Sequence, residues 1–136
     1  MKKIAVILII CIMCSFTASV VASAEEKNIS PRLNNASSAK FDFSITDDIA
    51  TASVRVYGYN AVTSNIAVKV ILEKKGFLGI WWSDVIEWNA SSNNYYDEFV
   101  FTEAVGSGTY RCSFEVTVYG SGGSADVITE EITVKN

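Results

Sequence analysis

Three carboxylate pairs have the type and spacing for chemistry: Asp84 with Glu87, Asp97 with Glu98, and Glu130 with Glu131. Two carboxylates converging on one point can work as general acid and base or hold calcium. Neighbours along a strand point to opposite faces, so the last two pairs cannot share a site unless a bulge intervenes. The spacing of a calcium-binding EF-hand loop is absent, and Asp47-Asp48 reads as turn chemistry. Histidine is missing altogether, which removes the commonest general base near neutral pH and the commonest metal ligand. Cys112 lies in an alternating apolar series and reads as a buried thiol acting as a small hydrophobe rather than as half of an intermolecular disulfide. The expectation is a non-enzyme with no catalytic residue, no metal and no cofactor.

Contact chemistry is better represented. Gly76-Phe77-Leu78-Gly79-Ile80-Trp81-Trp82 joins two strand-like segments, where a connection is normally polar, yet it carries Phe77, Leu78, Ile80, Trp81 and Trp82. Exposed, these five side chains would form a contact surface for a protein groove or a lipid interface, where Trp is suited by its apolar body and polar N–H. Folded back, they would cap an open end of the core. Tyr57, Tyr59, Trp88, Tyr95, Tyr96 and Tyr119, with Asn89, Asn93, Asn94 and Asp97 nearby in sequence, offer rings and polar groups for glycan stacking. The same aromatics are ordinary strand formers that stabilise cross-strand pairs.

The elements that position these groups follow an export signal. Lys2 and Lys3, the apolar run Ile4 to Met13 and the small-residue site Ala22-Ser23-Ala24 make a Sec-type signal peptide over residues 1–24, with cleavage expected after Ala24 and a secreted, extracellular product. Ser15, Thr17, Ser19 and Ser23 dilute the apolar stretch, which favours cleavage over an uncleaved anchor. Residues 25–136 then hold nine Lys and Arg against 15 Asp and Glu, a net charge of −6. Without a basic stripe, nucleic acid is excluded as a partner. An unknown protein, a glycan or a membrane surface remains, and a monomer is expected. Only Cys112 survives cleavage, so no internal disulfide is available.

Residues 25–38 are polar, carry the only proline, Pro31, and read as a flexible arm leading into one domain over residues 39–136. Period-two alternation then recurs: Ala39, Phe41, Phe43 and Ile45; Ala50, Ala52, Val54 and Val56; Ile66, Val68, Val70 and Leu72; and, most clearly, Tyr110, Cys112, Phe114, Val116 and Val118. The small residues of the second series predict bulky neighbours. Trp81 to Trp88, Tyr95 to Glu103 and Val127 to Val134 complete about seven strands, separated by turn signals that include Asn89 to Asn94. Such spacing predicts an all-β sandwich, immunoglobulin-like or another Greek key. Three glycosylation patterns, at Asn28, Asn35 and Asn89, are expected to stay bare because the leader looks bacterial.

Gly108-Thr109-Tyr110-Arg111-Cys112 places a Tyr two residues before an inward Cys near the start of a late strand, which resembles the tyrosine corner of immunoglobulin-like domains. Ile29-Ser30-Pro31-Arg32, Leu72-Glu73-Lys74 followed by Trp82 and Trp88, and Gly108-Thr109-Tyr110-Arg111 together resemble a family of unknown function, small secreted proteins of Gram-positive anaerobes. Cys112 and the inserted Phe77-Leu78-Gly79-Ile80 depart from it. The resemblance implies secretion and a small β-fold and transfers no site. The functional expectation is a non-catalytic binding or surface-interaction module, with a membrane-active secreted peptide or a carbohydrate-binding module as alternatives.

Overall fold

The computed structural model describes residues 32–136; the expected signal peptide and residues 25–31 of the expected arm lie outside them. Seven strands follow one another: β1 Ala36–Thr46, β2 Ile49–Gly58, β3 Thr63–Lys75, β4 Trp82–Ser92, β5 Tyr96–Ala104, β6 Thr109–Gly120 and β7 Asp126–Lys135. They form two antiparallel sheets ordered β1-β2-β5 and β4-β3-β6-β7. This is the β-sandwich predicted, with β4 beside β3 rather than in the sheet of β2 and β5.

Alternation decides the core. Val54, Val56, Ile66, Val70, Leu72, Cys112, Val116 and Val118 are fully buried between the sheets. The small residues of β2 find the bulky neighbours their size demands, since Ala52 lies in register between Phe43 and Phe101. Phe41 meets Phe114 across the sandwich with ring centroids 5.3 Å apart, and Trp88 stacks on Phe101 at 5.4 Å between β4 and β5.

The turns fix the register. Thr46 pairs with Ile49, leaving Asp47 and Asp48 as a two-residue loop in which both have positive φ, 51° and 60°. That is the conformation whose twist matches a hairpin, and Asp tolerates it better than most residues. The Tyr110 hydroxyl donates to the carbonyl of Gly106 at 2.8 Å, so the tyrosine corner read from the sequence is formed.

Two boundaries differ from the sequence reading. Strand β1 starts at Ala36, so residues 36–38 of the expected arm are sheet, and Asn35 is buried. Strand β4 runs to Ser92, so Asn89 to Ser92 are not a turn; they pair with Ile66 to Lys69 of β3. As an edge strand, β4 can carry a polar segment that a central strand would not.

Near its start β4 also contains a bulge. Leu72 pairs with Ile86 and Glu73 with Asp84, leaving Val85 unopposed. An extra residue inverts the inside–outside alternation. Trp88 therefore packs against the core, whereas Trp82, six residues earlier, lies on the outer face of the sheet.

Candidate functional site

Strand direction sorts the connections. The β1–β2, β3–β4 and β5–β6 connections and Asn136 lie at one end of the sandwich; β2–β3, β4–β5, β6–β7 and the start of β1 lie at the other.

The β3–β4 hairpin projects from the first end. Phe77 is 98% exposed, Leu78 63%, Ile80 75% and Trp81 49%, so the alternative in which this segment caps the core is overturned. The physical reason is local closure. Gly79 N–H donates to the Gly76 carbonyl at 2.9 Å and Gly76 N–H to the Trp81 carbonyl at 2.8 Å, so the loop turns within itself and cannot reach back over the sheets. The Trp81 ring lies so close over Gly76 that no Cβ fits there, and Gly79 takes φ +67°. The left-handed backbone of Gly79 favours glycine, and a Cβ at position 76 would displace the Trp81 ring. The tip therefore holds its shape while presenting side chains outward.

Its base is pinned on the outer sheet face. Arg111 on β6 donates from Nε and an Nη to the two carboxylate oxygens of Glu73 on β3, at 2.7 and 2.9 Å, and Glu131 lies 3.6 Å away. The Glu73 contact, with Glu131 beside it, raises the Arg111 pKa from its already high value. Trp82 lies on this guanidinium, 4.4 Å from its ring centroid, and Lys75 Nζ stands 5.8 Å from the same ring. Arg111 and Glu73 stood in two of the resemblance motifs, but nothing in the sequence paired them. Each takes an outward position in an alternating strand, and their pairing depends on register.

Of the candidate carboxylate pairs, Asp84 and Glu87 share a face, while Asp97 and Glu98 point to opposite faces of β5. Asp84 and Glu87 are on the outer face of the four-stranded sheet, with Glu87 receiving a hydrogen bond from Asn89 at 2.9 Å and facing Lys69 at 3.4 Å. That hydrogen bond, helped by Lys69, holds the Glu87 carboxyl below its ordinary range. Glu98 pairs with Arg55 at 2.8 Å on the other sheet. Cys112 is fully buried, and burial pushes its thiol up to about 12, so it is a neutral core residue near neutral pH.

The aromatic constellation divides as well. Trp88 is in the core flank, whereas Tyr119 is exposed on the same four-stranded sheet. Tyr57 and Tyr96 form a tilted cross-strand pair, centroids 5.1 Å apart, on the outer face of the three-stranded sheet. Tyr59 and Tyr95 flank it in the loops of the second end, and Asn94 donates to Asp97 at 3.3 Å.

That second end is built on a group the sequence reading passed over. The carboxylate of Asp126 accepts the backbone N–H groups of Asn34 at 2.9 Å, Asn35 at 2.6 Å and Ala36 at 2.9 Å. Burial alone would push this carboxyl up; the three backbone donors outweigh it and hold the group below the usual aspartate value. Asn35 donates to the Ser124 carbonyl at 2.8 Å and accepts from Gly122 N–H at 3.0 Å. The Asn35 glycosylation pattern is thus part of a buried clasp.

No protein-family model and no curated protein matches the chain. Two crystal structures are similar to it in part. Wild type OgpA from Akkermansia muciniphila is 11% identical with a TM-score of 0.42, over 79% of this chain and 30% of that one. Catalytic inactive OgpA from the same organism, in complex with an O-glycopeptide (glycodrosocin) substrate, is 10% identical with a TM-score of 0.41, over 79% and 32%. The chain spans about a third of the length of these solved structures.

Proposed function

We propose that this chain is an exported, non-catalytic contact module that engages its target through the β3–β4 hairpin, with Phe77, Leu78, Ile80 and Trp81 as the contacting side chains and Trp82 as their support. The observation that carries this reading is the exposure of four large apolar side chains on a loop closed by its own hydrogen bonds. Burying one such side chain is worth about 1.5–3 kcal/mol, so the free tip leaves several kcal/mol unused that a partner can recover. A loop that keeps its shape loses little entropy on binding, which favours contact by a preformed surface. The leader supports export, and a buried, neutral Cys112 supports a role without catalysis.

The test is retention on isolated bacterial envelopes of the chain from Glu25 onward, whose sandwich is complete within the compact unit Pro31–Asn136. Replacing Phe77 and Leu78 together by Ser should reduce binding by tenfold or more while the melting temperature stays put. Binding equal to the parent would end the reading.

A further inference from the structure

We infer that the surface the hairpin enters is the headgroup region of a phospholipid bilayer containing anionic lipid, with the sandwich remaining outside it; this rests on the contact reading above. The first argument is shape. Phe77 and Leu78 occupy the crest of a convex turn, with Ile80 and Trp81 just behind. At a rise of about 3.3 Å per residue, a crest two to three residues tall reaches roughly 7–10 Å, the depth at which amphipathic elements sit at the acyl boundary.

The second argument is charge. From Lys74 to Ser83 the chain carries two lysines and no acid, although its net charge is −4. Behind the tip stand Lys74, Lys75 and Arg111. The nearest acid on β3, Glu73, is held by Arg111, and Asp48 of the neighbouring turn receives a hydrogen bond from Asn136 at 2.8 Å. Asp47, Asp48, Asp84 and Glu131 are the opposing charges at this end. An apolar crest that follows Lys74 and Lys75 directly, with no acid from there to Ser83, complements an anionic interface in an otherwise acidic protein. Trp82, with Lys75 and Arg111 over its ring, lies where the interface would end.

A second copy of the chain is a poorer receptor. The depressions on the outer face of the four-stranded sheet, about 420 and 340 Å³, have mostly polar or charged residues along them, such as Lys69, Asn89, Glu115 and Thr129. Neither offers an apolar groove to Phe77.

The experiment sediments the chain from Glu25 with vesicles of phosphatidylcholine alone and with a quarter phosphatidylglycerol, and follows Trp emission with lipids brominated at shallow and deep acyl positions. Association with the mixed vesicles, a blue shift and stronger shallow quenching are expected. The double change Phe77→Ser, Leu78→Ser should weaken association by about tenfold or more per side chain, and Lys74→Gln or Lys75→Gln by about fivefold each. No association with either vesicle, or association unchanged in the double variant, overturns the assignment. If vesicles fail while the double variant still loses envelope binding, the target is a protein groove and only the lipid assignment falls. If envelope binding is unchanged too, the contact reading falls with it.

Discussion

Asn35 and Asp126 are 0% and 5% exposed at one end of the sandwich, while Phe77 and Ile80 are 98% and 75% exposed at the other. Each end inverts the usual sorting of polar and apolar groups, and the inversions have different causes. At the clasp, buried polar atoms are satisfied: consecutive backbone N–H groups converge on one carboxylate and Asn35 bridges the β6–β7 turn. The cost of burial is met by hydrogen bonds, so the end is closed and serves stability. At the hairpin, the backbone closes on itself in a turn that leaves its side chains without neighbours. That end contributes little to folding and is free for contact.

The comparison is broken most severely by Asp126→Ala. It would strand three backbone donors at a cost of about 1–3 kcal/mol each, so a loss of about 3 kcal/mol or more is expected in urea unfolding. Acid sharpens the same point. The folded carboxyl lies below an unfolded aspartate, which titrates at about 3.9. Its stabilisation is complete above that range and is lost as pH falls through the folded value. The parent should therefore lose stability below about pH 4 more steeply than D126A, and parallel curves would contradict the clasp.

Asn35→Ala removes two good hydrogen bonds and should cost about 2 kcal/mol, read in the same unfolding experiment. Tyr110→Phe should cost about 1 kcal/mol, at the lower end for a buried hydroxyl, because the Gly106 carbonyl keeps a second donor in Asn136 at 3.1 Å. Smallest of all in stability is the hairpin pair Phe77→Ser, Leu78→Ser, expected within about 0.5 kcal/mol of the parent by thermal melting. A large loss there would mean that the tip packs where it is seen to stand free.

The central strands were legible because alternation is a local property. Val54, Val70 and Phe114 announce their faces by their neighbours in sequence, and Tyr110 announced its corner by preceding Cys112. The clasp was not legible, since Asp126 meets Asn34 across 92 positions and looks in sequence like any turn acid. The start of β1 was hidden for the same reason. Asn89 to Ser92 lack apolar alternation, and only pairing with β3 makes them strand. For the hairpin, composition named Phe77 to Trp82 as unusual but left two fates open. The closure between Gly76, Gly79 and Trp81 decided between them. The bulge at Val85 then reversed Trp82 relative to Trp88, a parity that counting residues gets wrong.

That bulge also bears on how copies of this protein behave when crowded. Strand β4 is 11 residues long with one unpaired edge, the kind of border along which chains zip into aggregates. Val85 interrupts the even row of N–H and C=O groups on that border and adds local twist, so a second strand meets a broken template rather than a straight one. Two of the other three borders carry charges on their core-facing side, Asp97 and Glu103 on β5 and Glu130 on β7, where a flat stack of sheets would have to bury them. A chain with 49% hydrophobic residues and a greasy tip is thus provided with irregular, charged margins that oppose edge-to-edge polymerisation.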